Sequence, residues 1–263
     1  MYAFTLERPT TLADAKRLTG GGAQALAGGQ TLIASMKQRL MRPENLIDLG
    51  GVAELQGIRV DGQTIVIGAM TKHQDVAANA DVRRLIPGLA ALAEGIGDRQ
   101  VRAMGTMGGS VANNDPAACY PSAVLGLGAT VVTDRREIQA DDFFQGLYTT
   151  ALDAGELITA IRFPVPTKAA YAKFRQPASR FALVGVFVAQ TAGGVRVAIT
   201  GTGNGVFRHA GLEAALAKDF KPEAVKDVPI DASELNADLH ASSAYRAHMV
   251  TVQTQAAVRQ ANG

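Results

Sequence analysis

The chain has 263 residues, 47% of them hydrophobic and 19% charged, enough for one or two domains of roughly 100–200 residues. Its 26 basic and 24 acidic side chains give a formal net charge of +2, which excludes the strongly basic character of a nucleic-acid binder or of a protein drawn to anionic membrane. The single cysteine, Cys119, excludes an internal disulfide framework and any iron–sulfur cluster held by this chain alone, because such clusters take about four thiolates.

No apolar run approaches the ~20 residues that span a bilayer. Met1 to Arg8 lacks the charged and apolar regions of a signal peptide. The protein is therefore expected in the cytoplasm, without membrane insertion.

Helical spacing covers Thr11 to Leu18, and a short apolar strand follows at Gln24 to Ala27. Leu32 to Leu40 places Leu32, Ile33, Met36 and Leu40 on one helical face, with Pro43 as its stop. Asn45 to Leu49 reads as a strand, and Ile58 to Ile67 as a hairpin turning at Asp61–Gly62. Thr71 is positioned to cap a helix running through Ala78. A further helix after Pro87 turns Leu89, Leu92, Ala93 and Ile96 inward and ends near Gly97.

Gly105 to Asp115 reads as a loop, rich in residues that tolerate positive φ and poor in core formers. A helix is expected over Pro116 to Leu127 and a strand over Ala129 to Thr133. The last third changes character. Strands at Leu157 to Phe163, Tyr171 to Phe174, Leu183 to Thr191 and Val195 to Thr200 read as antiparallel, the last two joined at Gly193–Gly194. Helices at Leu212 to Lys218 and Tyr245 to Gln260 close the chain, and a domain boundary is expected near Pro164–Pro166.

Two constellations can carry chemistry. Ala27-Gly28-Gly29-Gln30-Thr31-Leu32 lies between a strand and a helix that Thr31 would cap. Its glycines admit close backbone approach, and N–H groups at a helix start suit phosphate oxygens; the plainer reading is a tight turn. In the second, Thr106 and Ser110 offer hydroxyls and Gly108–Gly109 offer bare N–H groups, while Asp115 either accepts from ligand hydroxyls or caps the helix at Pro116. Two such loops about eighty residues apart fit a long ligand such as a dinucleotide. Neither follows the Gly-x-Gly-x-x-Gly fingerprint or the nucleotide-triphosphate loop.

Other candidates are weaker. His73, His209, His240 and His248 show no metal-ligand spacing and read as ordinary surface or satisfied histidines. Cys119 reads as an inert buried thiol, and no serine sits in a nucleophile elbow. Arg99 and Arg102 could offset phosphates, meet a neighbouring subunit or form a solvated face.

Taken together, Ala27 to Leu32, Ile67-Gly68-Ala69-Met70-Thr71, Gly105-Thr106-Met107-Gly108-Gly109-Ser110 and Asn114-Asp115-Pro116 resemble the FAD-binding medium subunit of the xanthine dehydrogenase and carbon monoxide dehydrogenase family of molybdenum hydroxylases. The similarity continues through Gly155-Glu156-Leu157-Ile158 and Lys173-Phe174 into Ala182 to Val188.

The resemblance implies an α+β fold. Residues 1–165 would form a two-subdomain FAD-binding domain of the PCMH type, divided into about 1–55 and 56–165, and 166–263 a C-terminal antiparallel sheet with helices. It implies cofactor contacts at Ala27, Gly28, Gly29, Gln30, Thr31 and Leu32 and at Thr106, Met107, Gly108, Gly109 and Ser110, with these loops on the pyrophosphate. Asp115 would lie toward the ribityl or ribose, and Ile158 and Lys173 would approach the flavin ring. Two positions depart from the family pattern: Met107 replaces a usual isoleucine, a volume-conserving change, and Arg180 stands where an aspartate often enters the last strand.

The resemblance also implies an oxidoreductase subunit that transfers electrons, with no catalytic residue of its own. The substrate would be oxidised at a molybdenum cofactor in a large partner, and a small partner would carry [2Fe–2S] clusters, the whole forming a dimer of heterotrimers. Electrons would leave to NAD, a quinone, a carrier protein or oxygen. The alternative is a free-standing FAD-dependent oxidoreductase.

Overall fold

A computed structural model describes residues 1–263. In the N-terminal lobe, β1 (Thr5–Glu7), α1 (Leu12–Gly20), β2 (Gln24–Leu26), α2 (Leu32–Lys37) and β3 (Asn45–Asp48) build a parallel sheet of order β1-β3-β2. Parallel neighbours need crossovers, and the two helices supply them. Thr11 caps α1 by accepting the Asp14 N–H. The second helix stops at Lys37, short of the expected Leu40, because Arg39 enters the left-handed region at φ 61°. Ala15, Ile47, Leu49, Val52 and Leu55 form a small core that Met70 and Leu157 complete from the next lobe.

The middle lobe begins with the hairpin β4 (Ile58–Asp61) and β5 (Thr64–Gly68). Six short helices follow: α3 (His73–Ala78), α4 (Ala80–Leu85), α5 (Pro87–Glu94), α6 (Arg99–Met104), α7 (Met107–Asn113) and α8 (Tyr120–Gly126). The chain returns through β6 (Thr130–Thr133), β7 (Glu137–Gln139), α9 (Ala140–Phe143), a small hairpin of β8 (Phe144–Gly146) and β9 (Thr149–Thr150), and β10 (Ile158–Pro164). The resulting sheet has the order β4-β5-β10-β6-β7 with antiparallel neighbours.

The C-terminal part is an antiparallel sheet of β11 (Lys168–Arg175), β12 (Ala182–Thr191), β13 (Gly194–Thr200) and β14 (Phe207–Arg208), followed by α10 (Ala210–Lys218) and α11 (Ser243–Asn262). Strand periodicity divides its side chains between two cores. Tyr171, Phe187, Ala189 and Ala198 join the middle lobe, beside Leu89, Tyr120 and Val124. Val184, Val186, Val188, Val197 and Ile199 pack instead with Leu212, Leu216, Val250 and Val258 of the last two helices. Gly126 has no side chain because Phe187 fills that space, with a Cβ there only 2.9 Å from its ring.

Several local expectations are corrected. Gly105 to Asp115 is mostly helix, not loop: Thr106 caps α7 through the Gly109 N–H, and tertiary bonds overcome the poor helix propensity of glycine. The following helix begins at Tyr120 rather than Pro116. The Pro116 and Ala118 carbonyls are taken by the Thr200 hydroxyl, and the Gly201 N–H also binds Pro116, so this segment is held to the C-terminal sheet. Thr71 does not cap α3; its hydroxyl exchanges bonds with the Gly57 backbone. No helix of the structure is long and apolar enough to cross a membrane.

Candidate functional site

The three parts of the chain line an open cavity of about 860 Å³, within the range of cofactor and ligand sites. Its wall includes Ala27, Gly28, Gly29, Gln30, Thr31, Leu32, Thr106, Gly108, Gly109, Ser110, Asp115, Ile158 and Lys173. Of the expected contacts, only Met107 is turned away. Its side chain is fully buried in the middle core with Val111, as the inward face of a helix requires.

The two glycine motifs do not grip from a distance; they touch. A Cβ on Gly28 would lie 2.3 Å from the Met104 carbonyl oxygen and 2.6 Å from Gly105 Cα. One on Gly109 would lie 3.1 Å from Ala27 Cβ, and one on Gly108 2.5 Å from Ala69 Cβ. Glycine is required here first for backbone seams between lobes, and the cavity runs along the seam. Gly29 adds a left-handed turn, φ 69°, into the second helix.

The motifs also differ in what they can offer. In the second, the Met107 N–H is donated to Thr71 O, Gly108 to Ala69 O, Gly109 to the Thr106 hydroxyl and Ser110 to Thr106 O. The expected bare N–H groups of Gly108 and Gly109 are therefore already committed to the fold. In the first motif, the N–H groups of Gly28, Gly29, Gln30 and Thr31 have no acceptor in the chain. Thr31 makes no side-chain cap, contrary to expectation. This run of free donors is the feature suited to anionic oxygens, while the second motif contributes shape and the unpaired Ser110 hydroxyl.

Asp115 has a structural duty, accepting the Ala117 N–H at 2.9 Å. Its second oxygen accepts from the Tyr148 hydroxyl at 3.5 Å. Tyr148 takes a left-handed backbone, φ 51°, at the tip of the β8–β9 hairpin. Burial, then the Asp115 carboxylate, push its phenol up.

Lys173 also faces inward on the protein. Its ammonium donates to Gly95 O (2.7 Å), Arg180 O (3.0 Å) and Cys119 Sγ (3.4 Å), which occupies its three donors. It therefore ties the Gly95 turn and the β11–β12 loop to the start of α8. Arg180, at φ 62°, donates to Gly97 O and reinforces the same tie. Cys119 is buried as expected, yet it lines the cavity. Arg102, read as a possible phosphate partner, instead donates to the Ile96 and Gly97 carbonyls.

Next to Ile158 in the cavity wall, the Glu156 side chain is buried and accepts from the Thr133 hydroxyl (2.6 Å), the Asp153 N–H (2.8 Å) and both Nε and an Nη of Arg136. Burial acts to raise its pKa, but Arg136, the Asp153 N–H and Thr133 together hold it down to about 2. Asp134 accepts the Leu157 N–H at 2.7 Å and meets Lys16 of α1 at 3.7 Å, joining the N-terminal and middle lobes along the cavity.

Reading the residues alone missed His73, Tyr148 and Phe181, all of which line the cavity. By spacing alone, the histidine reads as an ordinary surface or satisfied one. It is in fact 4% exposed, with Nδ1 unpaired, and nothing in its local sequence signals this.

Comparison with known proteins gives a consistent picture. Residues 2–166 match the family described as the FAD binding domain in molybdopterin dehydrogenase. The chain is 35% identical to the carbon monoxide dehydrogenase medium chain of Hydrogenophaga pseudoflava, over 94% of this chain and 92% of that one. It is 32% identical to the glyceraldehyde dehydrogenase medium chain of Sulfolobus acidocaldarius, over 98% of each. Among solved structures, it overlays on carbon monoxide dehydrogenase from Hydrogenophaga pseudoflava with a TM-score of 0.91 at 33% identity, covering 99% of this chain and 97% of that one. Quinoline 2-oxidoreductase from Pseudomonas putida 86 gives 0.89 at 26% identity, over 99% and 97%.

Proposed function

We propose, from the premise that this chain belongs to the FAD-binding family of the molybdopterin dehydrogenases and is the FAD-binding medium subunit of a molybdenum hydroxylase, that it is the electron-transfer subunit of its complex. In this reading it takes electrons from [2Fe–2S] clusters in a small partner and passes them to an external acceptor. The organic substrate is oxidised in a large partner that holds the molybdenum cofactor. The complex is a cytoplasmic dimer of heterotrimers.

The observation that carries the reading is the cavity on the seam between two glycine motifs, with a row of free N–H donors on one wall. These residues fit FAD. The N–H groups of Gly28 to Thr31 would hold phosphate oxygens, and the Ser110 hydroxyl would add a donor beside them. Asp115 would accept from a ribityl or ribose hydroxyl with the lone pairs its turn leaves free. Ile158 supplies an apolar wall, and Lys173 holds the segments around the flavin in place.

Flavin, when bound, supplies redox chemistry that no side chain here can perform. The chain's part is to orient it, shield it from water and present it to partners. That division asks no acid–base or nucleophilic step of the side chains that line the cavity. Residues 1–165 form the FAD-binding unit in this reading, with subdomains of about 1–55 and 56–165, and 166–263 close the cavity from the other side.

The test is an absorption spectrum and metal analysis of the protein purified with its native partners. Flavin bands with iron and molybdenum in the proportions of a three-subunit complex are the expected result. Flavin without metals, from an intact preparation, would favour a free-standing flavoprotein. A colourless protein that takes up no FAD would end the cofactor reading.

A further inference from the structure

On the reading that FAD occupies this cavity, we propose that His73 is an additional cofactor-contact residue whose ring nitrogen hydrogen-bonds the bound dinucleotide. His73 opens α3, its backbone N–H is fixed to Gly105 O at 3.0 Å, and its side chain lines the cavity. The ring packs on Tyr120, with centroids 5.2 Å apart and planes at 58°. Gly105 leaves room for it: a Cβ there would stand 2.5 Å from Nε2.

The imidazole is therefore held in one place, yet neither nitrogen is used by the protein. Nδ1 is sealed without a partner, and Nε2, on the Gly105 side, makes no hydrogen bond. Buried polar groups are almost always paired, and an unpaired one lowers the stability of the fold that carries it. Such a cost is characteristic of groups kept for a ligand. Burial and then the nearby Arg102 hold the ring's pKa at about 4, so at neutral pH it is uncharged and keeps one donor and one acceptor. Because Nδ1 is sealed, Nε2 is the nitrogen left for the ligand, and the neutral ring can present it as a donor or an acceptor according to the tautomer.

The experiment uses the full chain, stripped of FAD and titrated with it, as wild type, His73→Leu and His73→Gln. Apo His73→Leu should unfold at the same or a higher temperature than wild type, because it removes unpaired buried polar atoms. Its FAD affinity should fall about three- to tenfold, the value of one neutral hydrogen bond. His73→Gln, which keeps a donor and an acceptor, should recover part of that loss. Wild-type affinity in His73→Leu, a destabilised or unfolded apo His73→Leu, or no recovery in His73→Gln would each overturn the assignment. Failure of the wild type to bind FAD would instead overturn the cofactor reading on which it rests.

Discussion

The Met104 carbonyl oxygen occupies the space that a side chain on Gly28 would need, 2.3 Å from the position of its Cβ. Because both partners are backbone, neither can rotate aside. Gly28→Ala should therefore push the first motif off the turn between α6 and α7, costing about 1–3 kcal/mol of stability and lowering flavin content well below that of wild type. Thermal unfolding and the ratio of flavin to protein absorbance measure the two effects. Unchanged flavin content would mean the seam does not shape the site.

Gly109 makes a gentler contact, with a Cβ at 2.9 Å from the Thr106 hydroxyl and 3.1 Å from Ala27. An alanine could be absorbed there by small shifts, whereas Gly109→Val should displace the α7 cap and part the two motifs. FAD binding should be lost while the core under α10 and α11 stays folded, since none of its residues touches this seam. Circular dichroism beside a flavin titration would check both halves of the claim.

The hydroxyls of Thr106 and Ser110 look interchangeable in sequence but do different work. Thr106 caps a helix, so Thr106→Ala should cost about 0.5–2 kcal/mol of stability. Ser110 has no partner in the chain, so Ser110→Ala should leave the melting temperature unchanged and weaken FAD binding by about 0.5–1.5 kcal/mol. Equal loss of stability in both variants would contradict the division.

Acid should destabilise the protein in two separable windows. His73 binds its proton less readily folded, at about 4, than unfolded, at 6.5, so the unfolded state takes up more protons and stability falls as pH drops from 6.5 toward 4. Glu156 is also depressed, from 4.5 to about 2; its contribution is present above 4.5 and lost as pH falls toward 2. Denaturant unfolding across pH should show the first window vanish in His73→Leu. Asp141, Asp231 and Asp238 are also depressed, so Glu156→Gln should reduce the second without abolishing it and, at neutral pH, lose about 1–3 kcal/mol through its weakened bonds to Arg136 and Asp153.

Much of the architecture follows from local chemistry. Periodicity in the last third specifies the strands of the C-terminal sheet and the two helices that cover it, because apolar side chains at spacing 2 or 3.6 must share a face. The Asp61–Gly62 pair signals the hairpin before any partner strand is known, although the turn itself falls one residue later, at Gly62–Gln63 between the paired Asp61 and Thr64. Order and spacing of the glycine motifs are enough to place the chain in its family. Other features depend on residues far apart in the chain. The segment after Gly105 is helical because Thr71 and Ala69 accept its first N–H groups, and no local propensity would predict a helix starting Met-Gly-Gly. The same bonds remove the donors expected of Gly108 and Gly109 and leave those of Gly28 to Thr31 free. Likewise, Lys173 is a clamp rather than a free cation because Gly95, Arg180 and Cys119 converge on it. Which residue types line the cavity is written locally; which of their hydrogen bonds remain available is decided only when distant backbone segments pack and use up the rest.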